Sequence, residues 1–280
     1  MPTFSRRTFI KALGLSVPAA LTFSLRGLGF AQASGKNPLF ELVPSAVSGI
    51  AWHHSNGRSP EYYLPETTGA GCAFLDYDND GWLDLFIANG GVNIVEALRG
   101  QALPYRMTNQ LFHNTGTGRF EETSAAGGPA FARAEIGRGA AFGDIDNDGD
   151  VDIVVTNNNG PVRLLLNQTR APSPGSQAPS PGSQTPSHWL EVRVDQRPGN
   201  RFGFGVWIGL ERTGRPTLWR RVRTDGSYLS ASDVRVHFGL GSSPAVSAIV
   251  VQWPDGARER WTEIQSDRLL TLVRGSGTRE

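Results

Sequence analysis

Cysteine is almost absent from this sequence: Cys72 is the single one among 280 residues. One cysteine excludes an internal disulfide, so this is not a small secreted domain held together by cross-links. Cys72 lies in the apolar stretch GCAFL, and this setting predicts a small buried core residue. The fold must therefore be stabilised without disulfides.

Long apolar runs are also missing. The run at Ala12–Leu25 has fourteen residues, is interrupted by Pro18 and is too short for a membrane span of about 20 residues. It follows SRRTFIK at Ser5–Lys11 and precedes AQA at Ala31–Ala33, an arrangement typical of a twin-arginine export signal. We expect residues 1–33 to be cleaved, leaving a periplasmic or extracellular chain without a transmembrane segment. An uncleaved anchor is the alternative.

A basic excess is lacking as well. The whole chain carries a formal charge of +1, and removal of residues 1–33 leaves 23 basic and 26 acidic side chains. Residues 34–170 are acidic, with 9 basic and 16 acidic side chains, whereas residues 171–280 have 14 and 10. This balance gives no reason to expect nucleic-acid binding.

Aspartate, in contrast, is concentrated in two short loops, FLDYDNDGWLD at 74–84 and FGDIDNDGDVD at 142–152. Both have Asp at loop positions 1, 3, 5 and 9, and a glycine at position 6 that can adopt the positive φ needed to reverse the chain. Carboxylates held about 5 Å apart repel by roughly 3 kcal/mol per pair at an effective dielectric of 20. A loop that folds inward on them needs a cation, and an all-oxygen shell suits Ca²⁺.

An EF-hand begins with the same spacing but requires a bidentate glutamate at position 12 and flanking helices. Position 12 is Ile87 in one loop and Val155 in the other, and strand-like sequence surrounds both loops. We therefore predict two calcium hairpins between strands, with solvated acidic turns as the alternative. The side chain of Asp150, at position 7, is expected to point outward. The predicted ligands are the carboxylates of Asp76, Asp78, Asp80, Asp84, Asp144, Asp146, Asp148 and Asp152 and the main-chain carbonyls of Trp82 and Asp150.

The two loops belong to an internal repeat. The segment at 69–91 matches the one at 137–160, and each is followed by a further strand-like stretch, QLFHN or VRLLLN. RFEETS follows only the first copy, and LFELVPSA at Leu39–Ala46 resembles it. Four antiparallel strands per unit are typical of propeller blades, which predicts an all-β fold with a partial β-propeller of about two blades. Leu39–Val43 is expected to pair with Val162–Leu166, within one chain or between two chains of a homodimer joined through open blade edges.

Residues 169–187 separate two halves of the chain. This stretch repeats APSPGSQ and holds no large apolar side chain, so it predicts a flexible linker between the repeats at 34–168 and a region at 188–275. That region contains six strand candidates, HWLEVRV, FGVWIGL, TLWRRVR, VRVHFGL, AIVVQWP and LLTLVR. It is expected to be a second all-β domain that folds alone and makes few contacts with the repeats.

The repeats resemble the FG-GAP/VCBS repeats of integrin-type propellers through FLDYDNDGWLD and FGDIDNDGDVD. HHSNGRSPEYYLPETTGAG resembles the opening segment of bacterial proteins in the cartilage acidic protein-like family. The second half resembles the ASPIC/UnbV domain through HWLEVRV at His188–Val194, DGSYLSASDVRVHFGLG at Asp225–Gly241 and VVQWPDGARERW at Val250–Trp261. Members of that family usually carry more repeats than the two in this chain.

This resemblance implies a non-catalytic, exported calcium-binding protein that serves in interaction or adhesion and meets a protein or glycan ligand. No catalytic residue is predicted, because no nucleophile-elbow pattern surrounds the serines near the C-terminal histidine. The alternative is a cofactor- or metal-dependent periplasmic enzyme, or an accessory protein, since twin-arginine export often serves cargo that is loaded with a cofactor before export.

Four histidines and one arginine-rich strand are the other chemically interesting features. His53 and His54 are adjacent and would face opposite ways in a strand, which makes them poor joint metal ligands. His113 is expected to cap a hairpin, and His237 to be a hydrogen-bonded structural residue. In LWRRVR at 218–223, arginine and tryptophan share a strand face that could bind an anionic ligand or a sugar acid, or could be a solvated face.

Overall fold

Each sequence repeat folds into its own antiparallel sheet in the computed structural model, which describes residues 40, 42–54, 69–91, 106–169 and 187–280. Blade 1 has the strand order β1-β2-β3-β4 and blade 2 the order β5-β6-β7. The two repeats form two separate open sheets, and no closed ring is present among the described residues. The predicted partial propeller of two blades is therefore confirmed. The strands are β1 (Gly71–Leu75), β2 (Asp84–Ala88), β3 (Gln110–Asn114), β4 (Phe120–Glu122), β5 (Gly137–Gly143), β6 (Asp152–Asn157) and β7 (Arg163–Leu165).

The fourth strand predicted for blade 2 is not seen among the described residues. Leu39 and Glu41 lie outside the described residues, while Phe40, Leu42 and Val43 belong to no strand, and the first two are each 92% exposed. A single helical turn, α1 (Ser45–Ser48), follows at once, so the chain leaves the extended conformation that pairing requires. Pairing of this segment with Val162–Leu166 within one chain is therefore not seen among the described residues, and pairing between two chains of a homodimer stays a prediction.

The two blades share one apolar core. The fully buried ring of Phe86 in β2 meets the rings of Phe131 and Phe142 edge-on, with centroids 6.0 and 5.9 Å apart. Such T-shaped pairs are favourable arrangements of aromatic quadrupoles. The remaining buried members of this core are Leu75, Ala88, Leu111, Ala140, Val151, Ile153 and Val155. Burial between the sheets explains how two blades can be stable without a closed ring.

The C-terminal region forms two further sheets around a second core. One has the order β10-β9-β12-β13-β15 and the other β11-β8-β14, in which β14 runs parallel to β8. The six predicted strands are all present, and β13 and β15 are additional. The strands are β8 (His188–Asp195), β9 (Trp207–Arg212), β10 (Arg215–Arg221), β11 (Val236–Gly241), β12 (Ala248–Gln252), β13 (Arg258–Trp261), β14 (Leu269–Val273) and β15 (Thr278–Arg279).

Alternation along the strands places one face of each C-terminal sheet in this core. Ile208 and Leu210 of β9 and Phe238 of β11 are fully buried, and Trp253 lies beside them after β12. Trp207, which precedes Ile208 in β9, points to the outer face. The domain is therefore an all-β unit with a core of its own, as the sequence predicts.

The C-terminal domain lies along the open edge of blade 2. The amides of Ala140 and Phe142 in β5 donate hydrogen bonds of 3.1 and 3.3 Å to the hydroxyls of Ser227 and Ser232. The amide of Asp233 donates one of 2.8 Å to the carbonyl of Phe142. Serine hydroxyls and one amide thus take the place of a neighbouring strand at an edge that would otherwise be unpaired. The expectation of few contacts between the two halves is wrong.

Several predictions concern residues outside the described ones. The export signal at 1–33, the segment at 55–68 and linker residues 170–186 are among them. Residues Val43–Glu280 form one compact unit, and all contacts discussed below lie within it. Among the described residues, no helix has the length and apolar character needed to cross a membrane. Cys72 is exposed rather than buried, because β1 turns its other face toward the blade core.

Candidate metal centres

Both acidic loops reverse the chain with the same backbone conformation. Asn79 and Asn147, at loop position 4, have φ values of 62° and 59°. Gly81 and Gly149, at position 6, have φ values of 95° and 94°, which confirms the positive φ predicted there. Asparagine and glycine are the residues that best tolerate this left-handed region. The backbone conformation of the turn therefore explains the sequence DNDG that both loops share.

Carboxylates organise the first loop from within. The Oδ2 atom of Asp76 accepts a hydrogen bond of 3.0 Å from the amide of Gly81, and Oδ2 of Asp84 accepts one of 3.1 Å from the amide of Tyr77. The Oδ1 atom of Asp84 accepts another, of 2.7 Å, from the amide of Asn114 in β3. Positions 1 and 9 are thereby fixed against the loop and against the next strand.

The second loop repeats this arrangement. Oδ2 of Asp144 accepts a 2.8 Å hydrogen bond from the amide of Gly149, and Oδ2 of Asp152 accepts one of 2.9 Å from the amide of Ile145. Oδ1 of Asp152 accepts one of 2.8 Å from the amide of Asn167, which follows β7. Two loops 68 residues apart in sequence therefore hold equivalent carboxylates in equivalent positions.

Most, though not all, of the predicted carboxylates converge. Asp76, Asp78 and Asp84 place one oxygen each within 4.8 Å of one another. Asp80 forms a similar group with Asp78 and His113, so the first loop gathers all four predicted carboxylates. In the second loop the corresponding group is Asp144, Asp146 and Asp152, and Asp148 is not part of it. That these groups bind calcium through the predicted side chains and carbonyls stays a prediction.

Burial makes the first cluster electrostatically costly without a cation. Asp76 and Asp84 are only 3% and 0% exposed. Burial raises the pKa of Asp76 well above its usual range, and Asp80, Asp78 and Asp84 raise it further, whereas Arg220 lowers it. Burial also raises the pKa of Asp84, to about 7. Loss of hydration and mutual repulsion both disfavour the ionised carboxylates, and a bound divalent cation would reverse both effects.

One oxygen of the first cluster has the properties of a metal ligand. Asp76 Oδ2 accepts hydrogen bonds from Gly81 and from the amide of Gly239, the latter of 3.2 Å. Asp76 Oδ1 is buried and has no hydrogen-bond partner among the described residues. A buried carboxylate oxygen is rarely left unsatisfied unless an ion or a water completes it. The donor set, rich in carboxylates, fits a hard divalent cation.

The comparisons with known proteins agree with this architecture. Residues 76–155 match the FG-GAP-like repeat family, and residues 196–279 match the family described as ASPIC and UnbV. The chain is an FG-GAP-repeat protein with a C-terminal ASPIC/UnbV domain. It is 36% identical over 99 residues to cartilage acidic protein 1 of Mus musculus, and 48% identical over 58 residues to cartilage acidic protein 1 of Homo sapiens. These matches span 34% and 21% of this chain, but only 15% and 9% of the relatives.

Asn79 of the first loop contacts both the second loop and the ASPIC/UnbV domain. The amide nitrogen of Asn79 donates hydrogen bonds of 2.8 Å to Asp150 Oδ1 and of 3.2 Å to the carbonyl of Gly149. Its Oδ1 lies 2.6 Å from Nε2 of His237 in β11. The prediction of a hydrogen-bonded structural His237 is confirmed. The carboxylate of Asp150 is buried against the first loop, so the prediction that it points outward is wrong.

A second set of contacts between the ASPIC/UnbV domain and the second loop centres on Arg235. Its guanidinium donates hydrogen bonds of 2.5 Å to the carbonyl of Asp144 and of 2.7 Å to Oδ1 of Asn147. It also pairs with Glu191 at 2.7 Å and with Asp233 at 2.6 Å. A basic side chain of the C-terminal domain is therefore in direct contact with the backbone of a predicted calcium loop.

His113 adds a nitrogen to the first centre that sequence reasoning missed. Its Nδ1 lies 3.2 Å from Asp78 Oδ2 and 3.4 Å from Asp84 Oδ1, so the expectation that it caps a hairpin is replaced by a place in the acidic cluster. His113 immediately precedes Asn114, whose main-chain N–H donates a hydrogen bond to Asp84. That proximity depends on the pairing of β3 with β2, so the sequence alone gave no sign of it.

The arginine-rich strand of the ASPIC/UnbV domain is β10. Trp219 lies across Gly209 of β9 on the outer face of the sheet, where it is 38% exposed, and Arg221 is directly opposite Trp207 on the same face. Half-burial of Trp219 agrees with the solvated-face alternative. Binding of an anionic ligand or a sugar acid at this face stays a prediction.

Proposed function

We propose that this chain is an exported, non-catalytic calcium-binding protein whose two ion-loaded blade loops support the ASPIC/UnbV domain, and that the assembled pair serves in interaction with an external protein or glycan. The two centres would take one Ca²⁺ each. Ion binding would stiffen the loops that contact Asn79 and Arg235, and so it would stabilise the surface that a partner meets.

The observation that carries this proposal is the state of Asp76. It is buried among three other carboxylates, its Oδ1 has no hydrogen-bond partner among the described residues, and its pKa is raised by burial and by those neighbours. A folded chain that contained no ion would have to protonate or strain this group. The second loop has the same hydrogen-bond frame around Asp144, which supports a second site of the same type.

Two observations support a location of this protein outside the cytoplasm. One is the twin-arginine pattern predicted for residues 1–33. The other is the likeness to cartilage acidic protein 1, although the chain covers only a small part of that protein. Calcium sites of extracellular modules typically have dissociation constants of roughly 0.1–1 mM, which suits millimolar calcium outside cells.

The test is calcium titration calorimetry on chelator-treated residues 34–280, combined with thermal unfolding. We expect about two ions per chain, and a rise in melting temperature that follows from roughly 2.7 kcal/mol of stabilisation per site at a hundredfold excess of calcium over Kd. Asp84→Asn should remove the first ion alone, and Asp152→Asn the second alone. Absence of calcium heat together with an unchanged melting temperature would overturn the proposal.

The interaction part has its own test. Residues 34–280 would be immobilised and exposed to the envelope fraction of the source cells in the presence of calcium, and in parallel in the presence of a chelator. Proteins or glycans retained only with calcium would support an ion-dependent interaction surface. Identical retention in both arms would contradict it, and the calcium sites would then be purely structural.

A further inference from the structure

The two metal centres differ at one position near the end of the second strand after each loop, β3 or β7. In both repeats an asparagine in or just after that strand, Asn114 or Asn167, donates its main-chain N–H to the carboxylate at loop position 9. The residues immediately before these asparagines therefore correspond. They are His113 in the first repeat and Leu166 in the second, so in the part of the chain that the structure describes, the first acidic group has an imidazole nitrogen where the second has an aliphatic side chain.

We propose that His113 is a metal ligand through Nδ1, and that the first centre prefers a divalent first-row transition ion such as Mn²⁺ while the second takes Ca²⁺. This inference rests on the proposed function, because it assumes that the first acidic loop binds a cation. It assigns different ions to two loops whose aspartates have the same spacing.

The distances around His113 are those expected between neighbouring ligands of one ion. In an octahedral shell with bonds of about 2.2 Å, adjacent donors lie about 3.1 Å apart. Nδ1 of His113 is 3.2 Å from Asp78 Oδ2 and 3.4 Å from Asp84 Oδ1. Nδ1 is nevertheless a buried atom without a hydrogen-bond partner among the described residues. In the tautomer that carries the proton on Nε2, the lone pair of Nδ1 is available to a cation lying among these carboxylates.

A second observation points to a ligand in the same place. Asp76, the position 1 carboxylate, is 3% exposed, and its Oδ1 also has no hydrogen-bond partner among the described residues. Asp76, Asp78 and Asp84 converge within 4.8 Å, as do Asp78, Asp80 and His113. Two buried atoms, one in the first loop and one on β3, thus have no hydrogen-bond partner among the described residues, and they belong to two acidic groups that share Asp78.

The chemistry of these donors separates the two centres. Calcium takes oxygen ligands almost exclusively, whereas an imidazole nitrogen suits Fe²⁺ and the later first-row ions. Carboxylates suit Mn²⁺ as well as Ca²⁺, so one imidazole added to a set of carboxylates shifts the preference from Ca²⁺ toward a first-row transition ion. A neutral imidazole that coordinates through Nδ1 carries its proton on Nε2. In the second centre, the corresponding Leu166 offers no donor, and that centre retains the all-oxygen set suited to calcium.

The decisive measurement is pulsed electron paramagnetic resonance of Mn²⁺ bound to residues 34–280. The Asp152→Asn variant, which lacks the second centre, isolates the first. We expect nitrogen hyperfine modulation from one directly bound imidazole, with the coupling altered when histidine is labelled with ¹⁵N. In His113→Gln, this modulation should disappear and Mn²⁺ affinity should fall about tenfold or more, while calcium affinity changes by less than threefold. Leu166→His is the matched gain-of-ligand control, introduced into the second centre.

Each outcome decides between the ideas. Bound Mn²⁺ without nitrogen modulation, or His113→Gln with the same ratio of Mn²⁺ to Ca²⁺ affinity as the parent chain, would overturn the assignment of His113. If the second centre still binds calcium in that case, the proposed function survives and only this inference fails. If neither loop binds Ca²⁺ or Mn²⁺, both fail together. Circular dichroism of each variant at equal concentration identifies any that are unfolded, and for such variants the ¹⁵N-histidine spectrum of the parent chain remains the test.

Discussion

The side-chain amide of Asn79 donates a 2.8 Å hydrogen bond to the carboxylate of Asp150, and this bond joins the two acidic loops directly. The same amide group meets His237 of the ASPIC/UnbV domain through its oxygen. One residue therefore connects both blades and the C-terminal domain at a position, φ 62°, that few residue types occupy. Ion binding in one loop can thereby affect the other loop without any shared ligand.

Replacement of Asn79 should weaken the fold and the coupling of the two loops. Asn79→Ala leaves the buried carboxylate of Asp150 without this partner, and it also places alanine at a positive φ. We expect a loss of about 2–4 kcal/mol in the free energy of unfolding, of which roughly 1–2 kcal/mol is backbone cost. Asn159→Ala, at φ 50°, is the matched control for the backbone part. Urea unfolding that gives equal losses for the two variants would contradict the role of the hydrogen bond.

Gly149 should be much less tolerant of alanine than another glycine with a similar backbone. Gly149 has φ 94°, and a Cβ there would lie 2.0 Å from the ring of Trp189 in the ASPIC/UnbV domain. Gly118 has φ 83° and nothing within 4 Å of its would-be Cβ. Both variants carry the backbone cost, and only Gly149→Ala adds a clash. We expect it to be more destabilising than Gly118→Ala by roughly 2 kcal/mol or more in thermal unfolding. Equal losses would show that this contact can relax.

Arg235, which contacts the second loop, forms a buried ion pair with Glu191 of β8 within the ASPIC/UnbV domain. Arg235→Met alone leaves the buried Glu191 carboxyl without its ion-pair partner, and should cost about 3–5 kcal/mol. Adding Glu191→Leu removes the unpaired carboxyl group and should recover part of that loss. Recovery should be incomplete, since Arg235 also binds Asn147 and the carbonyl of Asp144. A double variant that is no more stable than Arg235→Met would show that the ion pair itself contributes little.

Residue patterns within short segments of the sequence were sufficient to predict most of the strands. Asp spacing, the glycine at position 6 and the alternating apolar residues predicted both hairpins and six of the eight C-terminal strands, because each depends on a few neighbouring residues. The short strands Arg258–Trp261 and Thr278–Arg279 were missed, since polar residues dominate them and neither has a run of alternating apolar residues. The exposed Cys72 was missed because a strand pattern does not say which face the core covers.

What could not be predicted is how distant segments meet. The contact between Asn79 and His237 joins residues 158 apart in sequence, and that between Asp144 and Arg235 joins residues 91 apart. No periodicity relates such pairs, and both depend on the docking of the ASPIC/UnbV domain on the loops. The burial of Asp150 and the place of His113 in the first centre follow from the same long-range packing.

The calcium-dependent part of stability should grow as the pH rises. Burial raises the pKa of Asp84 to about 7 and that of Asp76 well above its usual range. A carboxyl whose pKa is raised on folding favours the ion-free fold below the unfolded pKa of about 4, and that advantage is lost as the pH rises through about 7. Calcium binds the ionised form, so protons compete with it at low pH.

The difference in melting temperature between calcium-loaded and chelator-treated, desalted protein should therefore increase from pH 5 to pH 8. Asp84→Asn should flatten this increase, because the first centre supplies the group with the pKa of about 7. A difference that is constant or that falls over this range would contradict the prediction. Contributions of groups outside the centres largely cancel, since they are present in both members of each pair.

Fluorescence of Trp189 should report calcium binding at the second centre. Trp189 belongs to the ASPIC/UnbV domain. Its ring is buried and packs on Gly149, the position 6 residue of that loop. An ion that fixes the loop changes the environment of this indole, although Trp189 is not a ligand.

The chain has 7 tryptophans, so the signal is defined as the difference between the parent chain and Trp189→Phe during calcium titration. We expect this difference to saturate with the affinity measured calorimetrically for the second centre. It should vanish in Asp152→Asn and persist in Asp84→Asn. A difference signal that follows the first centre instead, or none at all, would show that the contact between loop and domain does not transmit ion binding.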